Sequence, residues 1–504
     1  MNFFGNKFKT TLLFIFFFEL LSLLGHFVPI VNTIGLFVAV IFLIALSIKD
    51  SFLGLCFLFA ELFIGSFGRL FSMDVSGFSV SVRMSLWLSV MLIWLIQLLV
   101  LRVRTGTCAN KAVLKSREFK IFIPLFIFIV WGLVNALLNH TSLSYIINDA
   151  NAWLYFSIIF PVFYAFKNST ASLSRLNLIL QVFTASVIWI SLKTFFILFI
   201  FSHKMIFSMS ELYIWVRDTR IGEITSMENG FVRIFFQSHI FVLIATFIFF
   251  LIVVNLVIKN KDIFSNAQKR QKFIIFFSSL TLFFAVDLLN QSRSNWVGLF
   301  IGLVLCVLLV VYKYGWKKII FPIAILFSTF IVSLALIVLV VKFPYPAPSD
   351  DFNTVSMLTD RGGKIKNEAG VSSRFALLPK LWGEIKTAPI LGKGFGATVT
   401  YKSSDPRVLE NNTEGIYTTF AFEWGWLDVW LKLGLIGVLS YLFLLFYIIF
   451  WSIKNLKKLN IIQLAFVVGL ASISAVSFFS PYMNHPLGIA YLILSVIVIR
   501  VKIV

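Results

Sequence analysis

The chain has 504 residues, 59% of them hydrophobic and only 13% charged, which excludes a soluble globular enzyme and points to a polytopic membrane protein. Its 43 Lys and Arg against 22 Asp and Glu leave a net charge of +21, and a basic excess on so apolar a chain means either nucleic-acid binding or membrane topology. The basic residues fall in short clusters between apolar runs and in no soluble domain or tail, so no nucleic-acid partner is expected.

Lys7 and Lys9 precede an apolar run at 12–24 that resembles a secretory signal, but no small-residue cleavage site follows and further spans come at once, so it reads as the first transmembrane helix. A bilayer core of about 30 Å takes roughly 20 apolar residues per helix. On that ruler the sequence predicts about fourteen spans, at 11–29, 32–48, 52–67, 84–101, 121–138, 145–166, 178–201, 232–258, 273–289, 295–312, 319–341, 425–451, 462–480 and 487–501. The expected fold class is all-α, with the first eleven spans in 1–341, one long outer loop carrying short amphipathic helices at 342–424, and the last three spans in 425–504.

With the N-terminus placed inside, every second connection is basic: Lys7/Lys9, Lys49, 102–120, Lys167/Arg175, 259–272, Lys313/Lys317/Lys318, Lys454/Lys457/Lys458 and Arg500/Lys502. These segments hold about two dozen basic residues against three acids, Asp50, Glu118 and Asp262, so nearly all the net charge belongs to the cytoplasmic face. Both termini are then cytoplasmic, and two long polar connections, 202–230 and 342–424, lie outside. The longer opens on Pro344, Pro346 and Pro348, passes a stretch at 360–370 that reads as flexible, and closes on a Gly-rich turn at 392–396. No internal repeat supports an inverted-repeat transporter. Cys56 and Cys306 lie in apolar runs and Cys108 in a basic loop, so no pair is positioned for a disulfide, and neither a metal spacing nor a cofactor motif is present.

Four outward segments carry residues with chemical reach. The turn Asn290-Gln291-Ser292-Arg293 sets a guanidinium at the outer end of two helices, suited to a phosphate or carboxylate; the alternative is an arginine snorkelling to lipid headgroups. Ser372-Ser373-Arg374 opens a segment with Phe375, Leu378, Trp382 and Ile385 at helical spacing, an outer amphipathic helix that Pro379 kinks or starts. Arg374 would then lie near the helix start, beside free backbone N–H groups, or be simply solvated. Lys393, among Gly392, Gly394 and Gly396, belongs to a tight turn that lacks the P-loop spacing, with phosphate contact as the lesser reading. Glu423 and Asp428 enter the twelfth span among Trp424, Trp426 and Trp430: either a base with aromatic faces for sugar rings, or an Asp428–Lys432 ion pair in an interfacial aromatic belt.

In this order and on this topology, Ser292-Arg293, then Arg374 with Trp382, Pro389, Gly392, Gly394 and Gly396, then Gly434-Leu435-Ile436-Gly437 resemble the bacterial O-antigen ligase and polymerase superfamily. The resemblance covers 290–437, and Gly230-Phe231-Val232-Arg233 corresponds to a further family arginine. It implies a C-type membrane glycosyltransferase on the outer side of the bacterial inner membrane, using a glycan on undecaprenyl pyrophosphate. Arg293, Arg374, Arg233 and Lys393 would hold the pyrophosphate; Trp382, Trp424 and Trp426 would contact sugar or lipid. Positioned guanidiniums can neutralise the leaving pyrophosphate without a metal.

Family ligases carry a histidine just before the Gly-Leu-Ile-Gly helix, where this chain has Glu423, so the expected general base is Glu423, with His26, His140, His203, His239 and His485 as outward alternatives. The absent histidine and the many spans favour a repeat-unit polymerase over a ligase that transfers to lipid A core. Expected partners are the lipid-linked oligosaccharide, membrane lipid, and the chain-length regulator and flippase of the same pathway. A lipid-linked oligosaccharide flippase is the alternative from another class, with Glu19, Glu61, Lys193 and Asp287 as its intramembrane charges.

Overall fold

Runs of Leu, Ile, Val and Phe about 20 residues long satisfy their own backbone groups only as helices when water is excluded, and helices dominate the computed structural model. It describes residues 2–75, 78–105, 117–166, 169–226, 232–260, 262–348, 369–404, 406–410 and 412–501. Cys108, Gly230-Phe231 and nearly all of the 360–370 stretch lie outside the described residues.

The helices are α1 (Asn6–Phe27), α2 (Pro29–Lys49), α3 (Ser51–Ile64), α4 (Val82–Thr105), α5 (Ile123–Leu138), α6 (Leu143–Ala150), α7 (Ile159–Ala165), α8 (Ser169–Ser202), α9 (Ile206–Asp218), α10 (His239–Lys259), α11 (Ala267–Leu289), α12 (Arg293–Tyr314), α13 (Ile320–Val341), α14 (Ala369–Thr387), α15 (Gly425–Lys454), α16 (Ile461–Val476) and α17 (Pro486–Arg500). Among the described residues nine are long and apolar enough to cross a membrane, or ten if α6 and the helix from Trp153 to Ala165, bent by 44°, count as one span. The other four expected spans coincide with the shorter apolar helices α3, α5, α16 and α17. The chain is thus a mostly helical, multi-pass membrane protein, with α10 as its most enclosed long helix.

The connections sort into two ends. At one, Ser66 meets Ser238 (3.2 Å), His203 meets the Phe343 carbonyl (2.8 Å), and Asn139 donates to the Lys393 carbonyl (3.1 Å). At the other, Arg175 faces Asp50 (3.7 Å) and Lys313 donates to the Leu459 carbonyl (3.0 Å). The first is the loop-rich end, the second the basic end.

Two expectations need correction, and three short hairpins accompany the helices of the all-α architecture. Among the described residues β1 (Ser72–Val75) pairs with β2 (Phe78–Ser81), β3 (Gly222–Ser226) with β4 (Val232–Phe236), and β5 (Val399–Lys402) with β6 (Ile416–Thr419), each an antiparallel hairpin. The span expected from 232 begins only at His239, because Val-Arg-Ile-Phe-Phe is β4; a β-branched and aromatic run of that length reads as helix or strand alike. Finally, α14 runs through Pro379. Arg374 therefore lies inside the helix and away from its N-terminal amides, and exposure of Pro379 leaves the carbonyl it cannot bond open to water.

The buried stripe of α14 is Leu377, Leu381 and Ile385, one turn apart, while Phe375 and Trp382 face outward. With Ala397, Val399, Phe422 and Leu431 that stripe forms a small apolar core of its own, which seats the outer segment on the first turns of α15.

Candidate active site

The turn between α11 and α12 is held tightly. Gln291 sits at φ 45°, a conformation costly for a residue with a β-carbon, and the Asn290 carboxamide oxygen accepts from Ser292 N at 2.9 Å. Arg293 is the first residue of α12 and half-buried. From the facing hairpin, Arg233 Nε donates to the Asn290 carbonyl at 3.2 Å; the same guanidinium lies 3.8 Å from Glu223 and 5.0 Å from the centre of the Phe235 ring. Two arginines thus border one turn.

Arg374 approaches from α14 and forms an ion pair with Glu423. Trp424 follows: its indole N–H donates to the Arg374 carbonyl at 3.1 Å, and its ring packs against Phe375 and Phe479. Residues 477–485, between α16 and α17, join the two halves. Phe479 touches Trp424, Ser480 Oγ lies 2.9 Å from Ser294 Oγ, and the Tyr482 hydroxyl donates to the Gln237 carbonyl at 3.2 Å. Arg233, Arg293 and Arg374 consequently flank a single crossing segment. The Asn290 amide nitrogen and both polar atoms of the Asn295 carboxamide are buried and meet no hydrogen-bond partner among the described residues.

The other expected residues take structural places. Lys393 is ion-paired with Glu384. Its glycine turn inserts into a break in α15 at Gly434 (φ 71°, ψ 178°), where Lys393 N donates to the Leu431 carbonyl (2.7 Å), Gly394 N to the Lys432 carbonyl (3.0 Å) and Leu435 N to the Pro389 carbonyl (2.9 Å). A β-carbon on Gly434 would lie 2.1 Å from the Ile390 carbonyl oxygen, so only glycine fits. Trp382 and Trp430 meet in a T-shaped contact, and Trp382 is 40% exposed. Trp426 is buried, bonded to the Ser474 carbonyl and packed on Tyr441, with no open face for a sugar.

Asp428 and Lys432 do form the expected pair (2.5 Å), yet Lys432 also meets Asp149 at 2.6 Å. Asp149 accepts from Gly396 N (2.7 Å), and Asn484 donates to Asp428. This buried chain ties α6, the glycine turn, α15 and the crossing segment together. Sequence reading missed Asp149 and Asn484, for nothing local marks a partner so distant along the chain.

Four of the five histidines are engaged elsewhere, and His140 is exposed just beyond α5. His203 bonds through both ring nitrogens, His239 is buried against Thr194, and His26 faces Glu211. Burial, reinforced by the charge of Arg83, pushes the His485 imidazole down to about 3, and its Nδ1 caps α17. Burial pushes the Tyr482 hydroxyl up. Glu423, half-exposed beside Arg374, stands where a proton acceptor is accessible.

Residues 273–442, from α11 to the middle of α15, match the O-antigen ligase family. The match covers about a third of the chain and supports a likeness of that segment to the O-antigen ligase and polymerase superfamily. Of the residues gathered around the crossing segment, the matched O-antigen ligase region contains Arg293, Arg374, Glu423 and Trp424, while Arg233 and 477–485 lie outside it. No protein of curated function matches the chain.

Proposed function

We propose that the protein is a polysaccharide repeat-unit polymerase, a membrane glycosyltransferase that moves a glycan from undecaprenyl pyrophosphate to a hydroxyl of another lipid-linked unit. The observation that carries the reading is the pairing of Arg374 with Glu423, at the edge of a segment also bordered by Arg293 and Arg233. A cation for the leaving group and a carboxylate for the attacking hydroxyl then share one place.

The pyrophosphate of the donor displaces Glu423 from Arg374 and takes guanidinium hydrogen bonds from Arg374, Arg293 and Arg233. The acceptor hydroxyl loses its proton to the Glu423 carboxylate and forms the new C–O bond at the anomeric carbon. The bond from that carbon to the pyrophosphate oxygen breaks, and its electron pair leaves on undecaprenyl pyrophosphate, where the arginines neutralise the charge. Trp382 and Trp424 offer aromatic faces to sugar rings. In this reading the loop-rich end faces the periplasm, and the basic end faces the cytoplasm across the inner membrane.

Deletion of the gene and analysis of surface glycans on gels tests the assignment. A polymerase null leaves acceptors capped with a single unit; uncapped acceptors with accumulated lipid-linked chains would instead indicate a ligase, and single units trapped inside a flippase. Restoration of full-length chains by both Arg293→Ala and Arg374→Ala would sink the arginine mechanism.

A further inference from the structure

At the basic end, far from the arginines, the last turn of α12, the turn joining α15 to α16 and the first turn of α16 enclose an open cavity of about 340 Å³. Leu309, Tyr312 and Lys313 line it from α12, Leu456 and Lys457 from the turn, and Leu464 from α16. Lys313 Nζ donates one hydrogen bond, to the Leu459 carbonyl at 3.0 Å, which fixes the ammonium at the wall with two donors remaining. Lys457 is exposed.

The charge here is unbalanced. Among the described residues no carboxylate pairs with Lys313, Lys457 or Lys259, whose ammonium repels that of Lys313. Two acids of this end are committed elsewhere, Asp262 to Lys269 at 2.8 Å and Asp50 to Arg175 at 3.7 Å. The C-terminal ends of α10 and α12 offset part of the positive charge. The N-terminal end of α16, capped by Asn460, adds to it. The wall is apolar on the membrane side, through Leu309 and Leu464, and cationic where the helices end, an amphiphile's own distribution.

We propose that this cavity binds the phosphate headgroup of an anionic phospholipid from the leaflet at the basic end. Lys313 and Lys457 hold the phosphate, Tyr312 flanks the headgroup, and the leucines receive the start of the acyl chains. The bound lipid clamps α12 to the α15–α16 turn. Those are the helices whose opposite ends carry Arg293, Glu423 and the crossing segment, so the lipid braces the candidate active site from across the membrane.

Native mass spectrometry of the full-length protein with phosphatidylglycerol or phosphatidylcholine tests the proposal independently of any glycosyl transfer. Retention of phosphatidylglycerol over phosphatidylcholine is expected. It should fall about fivefold for Lys457→Gln alone and tenfold or more for Lys313→Gln with Lys457→Gln. The charge-matched Lys7→Gln/Lys9→Gln protein, altered at exposed residues of the same end, should keep wild-type retention. Equal retention of both lipids overturns the proposal, as does an unchanged Lys457→Gln protein. So does an equal loss in the Lys7/Lys9 control, which would mean diffuse attraction only. If glycerol 3-phosphate competes as well as the lipid, the site serves a soluble phosphate and the lipid assignment fails.

Discussion

Arg374 and Glu423 are ion-paired at the loop-rich end with 43% and 50% of their side chains exposed. An exposed pair contributes at most about 1 kcal/mol to stability, so large effects of altering it must come from chemistry. Glu423→Gln is expected to reduce polymer formation by about a hundredfold or more with little change in melting temperature, and Arg374→Ala to abolish it. The exchanged protein, Arg374→Glu with Glu423→Arg, keeps a pair and should stay inactive. Full-length polymer from that variant would reduce the pair to a structural contact.

Lys432 is 2% exposed and lies between two carboxylates, Asp149 and Asp428. Lys432→Met leaves both buried without their cation, a loss of about 3–5 kcal/mol. Thermal unfolding in detergent should show a marked drop, partly recovered when Asp149→Asn and Asp428→Asn are added. A melting temperature equal to wild type would show that the three groups are not coupled.

Gly434→Ala places a β-carbon against the Ile390 carbonyl and imposes a positive φ on alanine. The strain of such a conformation is about 1–3 kcal/mol, and relief requires the glycine turn to withdraw from the helix break. Limited proteolysis should then cut within 388–396 faster than in wild type. Gly383→Ala, where a β-carbon meets nothing within 4 Å, is the matching control and should cut at the wild-type rate.

The His485 imidazole is pushed down to about 3 by burial and then by Arg83. An unfolded histidine titrates near 6.5. Below that pH the unfolded chain takes up a proton that the folded one refuses, so stability falls as pH drops from about 6.5 toward 3 and is unaffected above. Melting temperatures between pH 7 and 4 should fall less steeply for His485→Gln than for wild type. Parallel curves for the two proteins would contradict the burial of a neutral ring.

The helices were legible because hydrocarbon-spanning runs are long and unbroken, and the alternation of Lys and Arg clusters already sorted the connections into two sets. The hairpins were not: 72–81 is too short to show a period, and the apolar strand at 232–236 merges in composition with α10. Of the candidate site, Arg293 and Glu423 stood out as charges at the mouths of apolar runs, and Arg374 as the opening charge of an amphipathic pattern in the long loop. Trp426 misled, since an indole at a helix start reads as interfacial. Here Gly425 lies so close under the crossing segment, with a β-carbon position 2.5 Å from the Ser477 carbonyl oxygen, that the next residue is driven inward. The i, i+4 spacing revealed Asp428 with Lys432; Asp149 came only with the fold.

The crossing segment 477–485 follows the end of the recognisable domain at 442, and Arg233 precedes its start at 273. Excising 273–442, or grafting it between relatives, would therefore carry Arg293 and Arg374 without the segment that meets Ser294 at Ser480 and Trp424 at Phe479. Chimeras that exchange the whole stretch from β3 through α17 should transfer acceptor preference, whereas exchanges stopping at 442 should yield inserted but inert proteins. Such a chimera keeps its buried network only where the host supplies an aspartate at the position of Asp149 on α6, the partner of Lys432 and of Gly396 N.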